Sequence, residues 1–273
     1  VFLFYIGSEF QKTTRFNFIF MKILGLNGKL IILICTVLCL DFAVLKSQTL
    51  KSENRSLRYI PEGGDFVITN GDRKFNRALY GSNTGYRTEA GDLPEFALYM
   101  PGMGGNLRFA LISGEQGKWI STLENIKTIY RPGSMIYEIS DREYLGNGKL
   151  NLHVLSSADK EGFIIKVNFH SVSNNSLKLA WVFGGATGRR FSREGDIGAD
   201  PESVFYLHPE NCLDNEYVIH KEGFALKYGS GKVAPTPDKK KELIGLFPKG
   251  SYKIVNATKA SDNNPLAILN SKA

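Results

Sequence analysis

The residues of this chain best suited to chemistry are seven carboxylates in two long connections. Glu89, Asp92 and Glu95 close a segment running from Asn70 to Glu95, and Glu194, Asp196, Asp200 and Glu202 lie in another from Gly184 to Cys212. Glycosidic bond cleavage needs two carboxyl groups across a sugar, roughly 5–9.5 Å apart. Surface acids are common, and spacing along the chain does not say whether the two loops meet. The first segment also carries Arg77, Tyr80, Tyr86 and Arg87, which offer stacking faces and planar donors for sugar hydroxyls. The same tyrosines can instead close a sheet edge, with the arginines paired to Glu89 and Asp92. Both readings stand on the sequence. Unstructured connections of this length are uncommon in a compact domain and often functional.

Other chemistries find less support. His208, Glu210, Cys212 and His220 are the nearest approach to a metal set, but they lack the close paired spacing of zinc ligands. No metal and no other cofactor is expected. Gly102-Met103-Gly104-Gly105 and Gly229-Ser230-Gly231-Lys232 miss the remaining positions of a phosphate-binding loop and read as turns. His153 and His170 fall in strand patterns, and no G-x-S-x-G elbow accompanies them.

The elements that must position these residues are strands. Leu57–Ile60 and Phe66–Thr69 flank Glu62-Gly63-Gly64-Asp65. Phe96–Met100 and Leu107–Ile112 flank a glycine-rich turn, and Ile126–Tyr130 and Met135–Ile139 flank Arg131-Pro132-Gly133. Leu150–Leu155 follows, then a predicted hairpin over Glu161–Gly188 turning at Asn174-Asn175, with Leu177, Leu179, Trp181 and Phe183 on one inner face. Tyr217–Ile219 and Phe224–Tyr228 form a further pair. Short strands at even spacing with Gly, Pro and Asn between them predict one all-β domain, an antiparallel β-sandwich. Pro265–Asn270 reads as a last strand without a partner, so residues 48–273 are expected to be a C-terminally truncated sandwich.

The N-terminal part has a different logic. Met21, Lys22 and Lys29 precede an almost unbroken apolar run from Leu30 to Leu40, and Leu45-Lys46-Ser47 follows. This is the layout of a secretory signal peptide over residues 21–47. The run is short of the roughly 20 apolar residues that a bilayer span needs, so the membrane is a partner only during export. Residues 1–20 are expected to be an upstream, non-native segment. Without residues 1–47, 29 Lys and Arg face 25 Asp and Glu, and the net charge falls from +7 to +4. Lys239-Lys240-Lys241 is an isolated run beside prolines, and nucleic acid is not an expected partner. Only Cys212 remains, so the mature chain has no internal disulfide. The composition predicts export to the periplasm or cell surface of a Gram-negative bacterium.

Phe75–Gly81, with Tyr86–Leu107 after it, resembles the N-terminal part of large exported Bacteroidetes proteins carrying domain of unknown function 4450. The resemblance is expected to run from about Leu57 to the end. It implies a supersandwich-like domain in front of an (α/α)6 barrel, in glycoside hydrolases of the six-hairpin kind. The acid and base would then sit in a helical domain that this chain lacks. The implied function is a non-catalytic sandwich module of a polysaccharide-degrading enzyme, its partners the glycan and its own C-terminal domain. Arg77, Tyr80, Arg87, Glu89, Asp92 and Glu95 would line a sugar subsite. The alternative is a stand-alone glycan-capture protein of the envelope.

Overall fold

In the computed structural model the described residues are 2–7 (as backbone), 56–81, 84–100, 103–185, 205–228 and 242–273. The expected signal peptide at 21–47 lies outside them. In chain order the strands are β1 (Phe2–Gly7), β2 (Ile60–Glu62), β3 (Asp65–Thr69), β4 (Arg77–Leu79), β5 (Arg87–Ala90), β6 (Glu95–Met100), β7 (Met103–Ser113) and β8 (Gln116–Trp119). They continue as β9 (Asn125–Arg131), β10 (Ser134–Ser140), β11 (Lys149–Ser156), β12 (Glu161–His170), β13 (Lys178–Gly184), β14 (Glu216–His220), β15 (Gly223–Lys227) and β16 (Glu242–Leu246). All pairings are antiparallel. One sheet runs β14-β15-β16-β1-β12-β11-β10-β9-β3-β2, and the other β13-β7-β6-β5-β4 with β8 on β7. The described helices are single turns.

Alternation explains the larger sheet. Met135, Tyr137 and Ile139 on β10, Leu150, Leu152 and Val154 on β11, and Phe163 and Ile165 on β12 are fully buried. The residues between them face outward, as the two-residue repeat of a strand requires. The smaller sheet sends Phe96, Leu98, Leu107, Phe109 and Leu111 into the same core. Phe96 meets Tyr137 edge-on at 5.6 Å, which joins the two sheets, and Phe109 of its own sheet at 6.3 Å. β6 is buried along its whole length. Its other face, Ala97 and Tyr99, packs under Phe75 and Phe205, which covers the smaller sheet on both sides.

Most turns fall where the residues place them. Gly63 and Gly64 both have positive φ (+56° and +95°), as a tight two-residue hairpin turn demands. Three expectations change. The predicted hairpin at Glu161–Gly188 is not one: β12 pairs β11 and β1, whereas β13 pairs β7 in the other sheet. Both strands bury apolar faces in the same core, so the chain between them crosses from sheet to sheet. The segment Asn70–Glu95 is not structureless, because it contributes β4 and β5. Pro265–Leu269 is a helical turn: Asn264 caps Leu266 N–H at 3.0 Å, and Pro265 takes the first position, where no N–H is needed. Phe2–Gly7 pairs β12 and β16 within the larger sheet.

Candidate functional site

Asp92 sits in the turn between β5 and β6 and is fully buried. Its carboxylate accepts from the Arg58 guanidinium, the Tyr59 hydroxyl, the Arg73 N–H (3.1 Å) and Asn76 Nδ2 (3.2 Å). Its carbonyl accepts from Thr128 Oγ1 at 2.6 Å, and that of Gly91 from Tyr137 at 2.8 Å. A side chain at Gly91 would meet Arg73 O and Phe75 N at 2.7 Å, so only glycine lets the preceding loop lie this close. Burial, then the bond to Asp92 and its charge, push the Tyr59 hydroxyl well above its ordinary range. Arg77 lies over the Tyr59 ring at 4.6 Å and the Tyr130 ring at 5.9 Å. Asp92 thus ties residues 58–76 to the sheet.

The other two acids lie on the outer face of the smaller sheet. Pairing sets Arg87 opposite Tyr99, Glu89 opposite Ala97, Ala97 opposite Asn106 and Glu95 opposite Arg108. Glu89 and Glu95 are therefore diagonal neighbours on one face, a relation that puts side chains roughly 7–8 Å apart. That spacing suits a glycosidase pair, but their surroundings do not. Glu95 is 1% exposed and holds Asn106 Nδ2 at 2.9 Å and Lys74 Nζ at 2.9 Å, with Arg108 Nε at 3.7 Å. Glu89 is 4% exposed and pairs with Arg87, which lies over the Tyr99 ring at 4.0 Å.

The same network fastens two covering segments. Asn106 Nδ2 also donates to Phe205 O at 2.9 Å, and Lys74 lies 5.0 Å over the Tyr206 ring. Arg108 stacks on Trp119 at 3.8 Å and donates to Ala260 O at 2.6 Å. Burial lowers the Arg108 pKa, against the pull of Glu95. Tyr86 is wholly buried and bonded to Thr88 at 2.9 Å. Of the six predicted subsite residues, only Tyr80 stands open, at 61% exposure. Glu194, Asp196, Asp200 and Glu202 lie outside the described residues. His208 and Glu210 approach to 3.8 Å, and the Cys212 thiol, raised by burial, accepts from Gly185 N–H at 3.0 Å. No group of three or more metal-ligating side chains occurs among the described residues.

Open space lies elsewhere. A groove of about 1480 Å³ runs past every residue of β13 and along residues 247–258, and Leu266 and Ile268 also line it. Trp181 is half-buried in it, 5.1 Å from Phe247 and 5.8 Å from Tyr252, and stacked with Phe224 at 6.2 Å. It shares the inner face with Leu177, Leu179 and Phe183, as the strand pattern predicted. Lys178, Lys249 and Lys253 line the groove from exposed positions, and Glu210 is the one carboxylate side chain among the described lining residues. Sequence reasoning missed this groove, because 178–184 and 247–258 come together only through the sheet order.

No curated protein and no solved structure matches the chain. The profile of a domain of unknown function, DUF4450, matches residues 100–273. It begins later than the expected start near Leu57, so Phe75–Gly81 and most of Tyr86–Leu107 lie ahead of it. The match covers well over half of the chain, which therefore belongs to the DUF4450 family.

Proposed function

We propose that this chain is a non-catalytic β-sandwich module of an exported polysaccharide-degrading glycoside hydrolase, with the acid and base supplied by an (α/α)6 domain outside this sequence. The observation that carries the reading is the state of Glu89, Asp92 and Glu95. All three are at most 4% exposed and held by cations or donors, so neither a sugar nor a hydrolytic water has access to them. A carboxyl group that protonates a leaving oxygen must touch it. Two antiparallel sheets sharing one core, the larger of ten strands, suit a supersandwich-like support. In this reading the protein works in the periplasm or at the cell surface.

The test is hydrolysis. The purified chain is incubated with a panel of plant and host polysaccharides, alone and together with the polypeptide encoded downstream of Ala273. No release of reducing sugar by the chain alone, and release with the downstream polypeptide, is the expected result. Turnover by the chain alone would overturn the reading. A second reading, a glycan-capture protein, is favoured by one observation: the large aromatic groove along β13.

A further inference from the structure

Many cations of this protein are already paired. Arg58, Lys74, Arg87, Arg108, Lys118, Lys127 and Arg131 each have a carboxylate within 4 Å. Of the cations without such a partner among the described residues, Lys178, Lys249 and Lys253 line one and the same groove, and the others do not. A second copy of the chain, facing this groove through a two-fold axis, would set these lysines against each other. The charge selects an anionic occupant.

The walls narrow its class further. Phe169 is 41% exposed on the groove wall and Tyr252 half-exposed, and flat rings at a groove surface stack against the C–H faces of sugars. Ser251 and Asn270 add hydroxyl and amide groups at exposed positions of the lining. These polar partners suit an occupant rich in hydroxyls better than a purely apolar peptide face.

We infer that the groove along β13 binds an acidic, uronate-bearing oligosaccharide, with sugar rings on Phe169 and Tyr252 and uronate carboxylates on Lys178, Lys249 and Lys253. The inference rests on the polysaccharide reading above and names the class of glycan. It also moves sugar contact away from the Arg77–Glu95 segment, where only Tyr80 is open.

The test is binding of oligogalacturonate to the full chain by isothermal titration, beside neutral xylohexaose and cellohexaose. The chain is compared with the triple variant Lys178→Ala, Lys249→Ala, Lys253→Ala and with Phe169→Ala. All four substituted positions are exposed, so near-ultraviolet circular dichroism should be unchanged. Oligogalacturonate is expected to bind, to weaken with added salt, and to weaken about tenfold in the triple variant, as three screened charge contacts would. Binding of the neutral oligosaccharides alone would overturn the charge selection and leave the polysaccharide reading intact. No binding of any of the three would overturn the inference, whereas the module reading fails only if the chain alone releases reducing sugar. Equally tight, lysine-dependent binding of poly-L-glutamate would assign the groove to an acidic peptide and overturn the sugar.

Discussion

The segment Asn70–Glu95 and the groove along β13 both offer charged and aromatic side chains, yet they use them differently. In the first, three carboxylates are buried and joined to Arg58, Lys74, Arg87 and Arg108, and Arg77, Arg87 and Arg108 lie over tyrosine and tryptophan rings. In the second, three lysines stand in solvent around partly open rings. Residue types alone do not separate the cases. What separates them is that the carboxylates of the first already hold counter-charges within the fold, whereas the lysines of the second have none among the described residues.

This comparison is most easily broken at Asp92. Asp92→Ala leaves Tyr59, Arg73 N–H and Asn76 without their acceptor and Arg58 with Asp72 alone, and each buried donor left unpaired costs about 1–3 kcal/mol, for an expected loss of about 3 kcal/mol. Urea denaturation should show that loss, and a change below 1 kcal/mol would mean that Asp92 does not hold the loop. Glu95→Gln keeps the shape but leaves Lys74 and Arg108 uncompensated, for an expected loss of about 1–3 kcal/mol by the same measurement.

Asp141 comes next. Burial alone would raise its pKa, but hydrogen bonds from Lys118 Nζ, Tyr144 N–H and Glu124 N–H outweigh it and hold the group below the ordinary carboxylate value. A lowered folded pKa contributes stability above the unfolded value, near pH 4, that is lost as pH falls through the folded one. Asp141→Ala should cost about 1 kcal/mol at pH 7 as a lost helix cap. Asp141→Asn should flatten the fall in stability below about pH 4, and an unchanged slope would dismiss its role. The smallest effect is at Tyr80, where Tyr80→Ala should leave stability within about 0.5 kcal/mol.

Much of the fold was legible. Alternation placed β9, β10 and β11 within a residue or two, and Gly63-Gly64 named its turn. Where the reading failed, tertiary partners decided. Nothing local to Glu161–Gly188 says that β12 and β13 enter different sheets; that depends on β7 and β11 being the better partners. The helical turn at Pro265 was signalled by Asn264 and Pro265 but overshadowed by the apolar run behind them. For the site, the arginine–carboxylate pairing was open in the sequence as one of two readings, and the register across β5, β6 and β7 selects it. The groove was not legible, since its walls are some 70 residues apart along the chain.

The sharpest measurement sets the two regions side by side in one affinity gel cast with polygalacturonate. Wild type, the Lys178→Ala, Lys249→Ala, Lys253→Ala variant and Tyr80→Ala are run together at low salt. Retardation of wild type and Tyr80→Ala, with the triple variant migrating as in an empty gel, is the predicted result. Retardation lost in Tyr80→Ala and kept in the triple variant would contradict it, returning sugar contact to the Asn70–Glu95 segment.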